Sequence, residues 1–157
     1  MLTKYQLLLL CLVFVSAASF TLTTYTYKTV GNVNIQLDVY VPDIVPPATG
    51  FPVFFAIHGG AYIYGSKATG LTGQEGAEVL SRGWVLVSIN YRLIPTAFLP
   101  DIFEDVQDAY TWVRTQLPNY ISINPNLITV CGQSAGGGLA VVSGYKLTLS
   151  LCHCHFH

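Results

Sequence analysis

The sequence predicts an α/β fold, a mostly parallel sheet with helices on both faces. Three observations carry that expectation. Of the first two strands, one is rich in Thr and Tyr and the next alternates apolar and polar residues with period two. A continuously apolar run follows at residues 53–57 and mostly apolar runs at 84–89 and 127–131, as strands covered on both faces require. Segments of helical spacing lie between and after those runs, so the order is strand–strand and then strand–helix repeated.

Composition narrows the function classes. Of 157 residues, 52% are apolar and 10% charged, which excludes a disordered chain. Seven Lys and Arg against eight Asp and Glu leave a net charge of −1 with no basic run. A nucleic-acid partner bound through phosphate neutralisation is therefore not expected. The length suits about one domain.

Residues 1–19 read as a secretory signal peptide. Lys4 supplies the positive end, Leu7 to Val15 the apolar run, and Ser16-Ala17-Ala18-Ser19 the small residues before a cut after Ala17 or Ser19. The run is too short for a stable membrane span. A secreted, extracellular protein is expected. Cys11 leaves with the leader, no spaced disulfide framework is visible, and Cys131 is expected to pack as a small hydrophobe.

Thr21 to Val30 reads as a strand ending at Gly31-Asn32. Asn34 to Val41 places Ile35, Leu37, Val39 and Val41 on one face, and the two strands are expected to pair antiparallel. Pro42 to Phe51 is a proline-rich loop before the buried strand Val53 to Ile57. Thr72 to Arg82 suits a helix closed by Gly83, and Trp84 to Ile89 a second buried strand. Asp101 to Leu117 spaces its apolar residues by three and four, with Asp101 as candidate N-cap. Leu127 to Cys131 is the third buried strand, and Gly138 to Leu149 continues as a helix.

Two motifs stand at strand ends, where ligands bind in such sheets. Gly132-Gln133-Ser134-Ala135-Gly136 is G-x-S-x-G between a strand and a helix. A sharp turn there exposes the serine hydroxyl as a nucleophile, and the helix N-terminus offers free N–H groups to a developing oxyanion. His58-Gly59-Gly60-Ala61 closes the strand at 53–57, where consecutive glycines let backbone amides face a substrate carbonyl. His58 itself is read as bracing that loop. Nucleotide-binding glycine fingerprints are lacking.

Together these motifs resemble the α/β-hydrolase fold, and within it the hormone-sensitive-lipase-like carboxylesterases. Asp38-Val39-Tyr40-Val41-Pro42, Asn90-Tyr91-Arg92-Leu93 and Leu99-Pro100 with Glu104 to Ala109 resemble further elements of that family. Gln133 stands where Asp or Glu is usual, Ala61 replaces a third glycine, and Asn90 replaces Asp. The resemblance implies a carboxylic-ester substrate, Ser134 as catalytic nucleophile, and an oxyanion hole from Gly59, Gly60, Ala61 and Ala135. It implies no metal and no cofactor, and it leaves the oligomeric state open.

In this fold the triad runs Ser, then Asp or Glu, then His. After Ser134 no Asp or Glu follows, and the later histidines are His153, His155 and His157. The triad acid and base are therefore unassigned, and the chain reads as the N-terminal part of a hydrolase domain over residues 20–143 with an atypical tail over 144–157. The tail's Cys152, His153, Cys154, His155 and His157 lack zinc-finger spacing. A catalytically inactive hydrolase acting as a binding or interaction fragment is the alternative reading.

Overall fold

The computed structural model describes residues 19–70 and 73–147, with side chains to residue 144. Its five strands are β1 (Phe20–Val30), β2 (Val33–Pro42), β3 (Phe51–Ile57), β4 (Val85–Ile89) and β5 (Ile123–Gly132), in the sheet order β1-β2-β4-β3-β5. The hairpin β1–β2 and the pair β2–β4 are antiparallel, whereas β4, β3 and β5 run parallel. The helices are α1 (Gln74–Ser81), α2 (Leu99–Thr115) and α3 (Ala135–Leu147).

Strand period two divides the sheet between its helices. Leu37, Val39, Val53, Phe55, Val85 and Val87 face α2 and α3 and pack on Ile102, Val106, Val113 and Leu139. The alternate residues Phe54, Ala56 and Leu86 pack with Leu80 of α1. Burying a Leu or Phe side chain contributes about 1.5–3 kcal/mol, so the larger cluster under α2 and α3 dominates stability. The expected class therefore holds, with helices on both faces of a mixed sheet.

Element ends differ from the sequence reading for identifiable reasons. Asp101 is not the N-cap of α2. The helix begins at Leu99, and the Asp101 carboxylate accepts the Phe98 N–H at 2.9 Å from the third helical position. Pro100 is tolerated there because first-turn N–H groups have no helical acceptor. α1 is shorter than expected, but Gly83 closes it: with φ 73° it donates to Leu80 O at 2.9 Å while Trp84 donates to Val79 O at 3.3 Å. That is the paired bonding of a glycine-terminated helix.

β5 starts four residues before the expected Leu127 and is not buried throughout. Ile123 pairs with Phe51, and the ladder resumes only at Ile128 opposite Val53. Asn124 to Leu127 bulge out because Pro125 has no N–H to give, and the Asn124 side chain instead accepts the Asn126 N–H at 3.0 Å. Leu127 is consequently 49% exposed, whereas Cys131 is buried as expected. α3 begins at Ala135, so the Gly136-Gly137-Gly138 run lies inside the helix. A Cβ at Gly136 would collide with the Ile57 carbonyl oxygen, and one at Gly132 with Gly136. These glycines lower helix propensity, yet only they let α3 lie this close to β3 and β5.

Residues 1–18 of the expected leader over 1–19, and the Cys–His tail, lie outside the described residues. Among the described residues no helix is long and apolar enough to cross a membrane.

Candidate active site

The site is built where β3 and β5, adjacent and parallel, end side by side. Ile57 opposes Gly132 in the last rung, so the segments that follow the two strands meet. After β5 the chain turns sharply into α3. Ser134 occupies the turn with φ 52°, exposed, between Gly132 and Ala135. The turn is held by Gly136 N–H donating to Gln133 O at 2.9 Å and by Gln133 N–H donating to Ile57 O at 3.3 Å. A left-handed serine costs about 1–3 kcal/mol, a strain that persists only where the surroundings impose it.

After β3 the chain makes the opposing wall. Gly60, Ala61 and Tyr62 all have positive φ, at 107°, 50° and 66°. Gly60 has to be glycine, because a Cβ there would collide with the Tyr64 carbonyl oxygen. Gly59 lies against the serine turn, where an added Cβ would stand 2.8 Å from Gln133 O and 3.5 Å from the Ser134 Cβ. Gly59, Gly60, Ala61, Tyr64, Gln133 and Ser134 thus line one open cleft. Ala135 opens α3, where backbone N–H groups lack helical acceptors. The sequence-predicted Ser134, Gly59, Gly60, Ala61 and Ala135 are all brought together.

His58 is 1% exposed and does not present itself as a base for Ser134. Its Nδ1 lies 2.7 Å from Gly59 O, which only accepts, so Nδ1 carries the proton. The ring stacks on Tyr91, with centroids 4.2 Å apart and planes 11° from parallel. Burial pushes the imidazole below its ordinary value, against a smaller upward pull from the Gly59 carbonyl. The Tyr91 hydroxyl donates to His58 O at 2.9 Å, and burial raises its pKa to about 12, keeping it a donor. His58 therefore braces the glycine loop, as the sequence reading had it.

Tyr91 is in turn fixed through its neighbour. The Arg92 guanidinium donates to both Asp105 oxygens of α2 at 2.8 and 2.9 Å, and Lys28 of β1 lies 3.1 Å from the same fully buried carboxylate. Two cations on one buried carboxylate offset the cost of removing it from water. Ile94 N–H closes the arrangement by donating to Tyr62 O at 2.9 Å.

Sequence reasoning missed Lys67. Its ammonium lies 2.7 Å from each Asp38 oxygen of β2, its N–H donates to Asn90 Oδ1 at 2.6 Å, and its carbonyl accepts from Ser88 at 2.8 Å. The available signal was a single cation in the glycine-punctuated stretch 58–70 and a single carboxylate inside an alternating strand. Among the described residues no group of three His, Cys, Asp or Glu side chains is placed to hold a metal ion.

A mixed sheet with helices on both faces, and an exposed left-handed serine between its parallel strand and the next helix, defines the α/β-hydrolase class. Solved structures agree. The bacterial heroin esterase matches 85% of this chain and 42% of its own, with a TM-score of 0.67 and 26% identity. The esterase EstE1, cloned from a metagenomic library, matches 82% of this chain and 42% of its own, with a TM-score of 0.68 and 30% identity. The chain belongs to the BD-FAE family, which its residues 37–152 match. Arylacetamide deacetylase of Oryctolagus cuniculus is 37% identical over 131 residues, 79% of this chain and 31% of the relative. The non-reducing polyketide synthase atr1 of Stereocaulon alpinum is 32% identical over 133 residues, 81% of this chain and 5% of the synthase. The chain thus spans less than half the length of these relatives.

Proposed function

We propose that the chain carries the nucleophile and oxyanion half of a carboxylic-ester hydrolase. The observation that carries this reading is the strained, exposed Ser134 facing the glycine loop across one cleft. Ser134 Oγ attacks the ester carbonyl carbon, and the carbonyl oxygen takes up the displaced electron pair. Amides of Gly60, Ala61 and Ala135 stabilise that oxyanion, while Gly59 supplies the clearance that lets the two loops meet. Collapse expels the alcohol and leaves an acyl-serine, which water then hydrolyses. Losing one such oxyanion donor costs about 10²–10³-fold in rate.

The first step also needs an acceptor for the serine proton. His58 is the only histidine among the described residues; its Nδ1 holds the proton against Gly59 O, and its acceptor Nε2 is buried with no hydrogen-bond partner instead of meeting Ser134. That observation favours a second reading, a hydrolase fragment that binds esters without turning them over. Export is proposed from the leader-like residues 1–19.

Hydrolysis of p-nitrophenyl acetate by the 157-residue chain and by its longest natural form tests the first reading, with Ser134→Ala in each. Turnover in the longer form that disappears with Ser134→Ala supports it. Turnover unaffected by the substitution overturns the role of Ser134. Saturable binding of a non-hydrolysable phosphonate ester by the 157-residue chain, without turnover in either form, supports the second reading.

A further inference from the structure

Lys67 holds a position that neither the G-x-S-x-G turn nor the oxyanion amides explain. It follows the cleft-lining residues Tyr64, Gly65 and Ser66 and precedes Thr69. Ser66 and Thr69 close a tight turn around it: Thr69 N–H donates to Ser66 O at 2.8 Å, and Ser66 N–H donates to Thr69 Oγ1 at 2.9 Å. From inside that turn Lys67 reaches down to the sheet. Asp38 of β2 is paired with Ser88 of β4, which is paired with Ala56 of β3, so one cross-strand row runs beneath the loop. Lys67 bonds two members of that row, Asp38 through its ammonium and Ser88 through its carbonyl, and also Asn90 just beyond β4.

We propose that Lys67, with Asp38 as its counter-ion, is a positioning residue of the cleft. It fixes the wall from Tyr64 to Thr69 on the sheet and, through the same loop, the amides at Gly60 and Ala61. This role deepens the hydrolase reading and rests on it for its catalytic consequence.

Lys67 adds an anchor beyond residue 64. Ile63 and Tyr64 donate their N–H groups back to Gly60 O, so the strained stretch 60–64 folds on itself, while Ile94 N–H holds it at Tyr62 O. At Gly65 the loop passes close to His58, where only glycine fits because a Cβ would stand 2.5 Å from Nδ1. Lys67 ties the loop to the sheet just beyond that passage. Asp38 is 5% exposed and accepts Thr24 Oγ1 at 2.5 Å as well, so its carboxylate is itself held in place. A buried carboxylate bonded through both oxygens to one ammonium is a charge-assisted tether, stronger than a surface pair.

The competing explanation is that Lys67 merely neutralises Asp38. Removing Lys67 alone confounds the two, because it strands a buried charge. The variant Asp38→Asn/Lys67→Met removes the charge and the tether together. Hydrogen exchange of the 157-residue chain reads the loop directly. The double variant is expected to exchange about ten-fold faster or more over residues 58–70 while α2 stays within about two-fold of the parent, as a local opening requires. Lys67→Arg, which keeps the ion pair, is expected to retain protection.

In a form that hydrolyses p-nitrophenyl acetate, the double variant is expected to lower kcat about ten-fold with KM changed less than about three-fold, because the oxyanion amides act in the transition state. Unchanged exchange over 58–70 in the double variant overturns the proposal. Equal loss of protection in the loop and in α2 overturns it too, since Lys67 then supports the fold as a whole. Absence of turnover in every parent form refutes the hydrolase reading, while the exchange result still decides the tether.

Discussion

Replacing Ser134 by glycine relieves a backbone strain that replacement by alanine leaves in place. At φ 52° the Cβ of any L-residue crowds the following carbonyl, at a cost of about 1–2 kcal/mol. Glycine escapes that cost but gives the unfolded chain extra freedom, offsetting about 0.4–1 kcal/mol. Ser134 is exposed, so truncating its side chain forfeits little buried area. Ser134→Gly is therefore expected to be more stable than Ser134→Ala by about 0.5–1 kcal/mol, the difference between the strain and the entropy terms. At this chain length that difference raises Tm by about 1–4 °C. Urea unfolding measures it as a higher midpoint at unchanged m-value. A Ser134→Gly variant no more stable than Ser134→Ala would mean that the turn is unstrained, and the argument that the fold holds this serine in a forced geometry would fail.

Three further outcomes follow from the same contacts. Gly136→Ala places a Cβ against the Ile57 carbonyl and 2.6 Å from His58 O, both backbone atoms that cannot swing away. A loss of about 3 kcal/mol in urea unfolding is expected, at the upper end for overpacking. Tyr91→Phe removes the hydroxyl that donates to His58 O in a buried setting, so a loss of about 1–2 kcal/mol is expected by the same method. Because burial depresses the His58 pKa in the fold, the unfolded chain takes up a proton more readily. Its contribution is intact above the ordinary imidazole value of 6.5 and is lost as pH falls through that value toward the depressed one. Unfolding free energy measured from pH 8 to 5 checks this, and His58→Gln is expected to flatten the decline.

The local features of this protein were legible in its sequence because local physics produces them. Period-two alternation in residues 34–41, the apolar run at 53–57 and the helical spacing of α2 each follow from which side chains must leave water. The serine turn was legible as G-x-S-x-G between a strand and a helix, and the structure shows why Gly132 and Gly136 admit no Cβ. Element ends were less legible. Asp101 has the chemistry of an N-cap but acts from the third helical position, since the helix already starts at Leu99.

What the sequence by itself determined is the class of fold, the serine turn and the glycine loop, each encoded by residues near one another in the chain. Only the tertiary structure decided how that loop is held. Lys67 and Asp38 are 29 residues apart, and Tyr91 and His58 are 33 apart. Their partnerships exist because β4 inserts between β2 and β3, and no local pattern records that order. A side chain's period and cap are set by its neighbours, whereas the partner of a buried charge is set by which strands lie side by side.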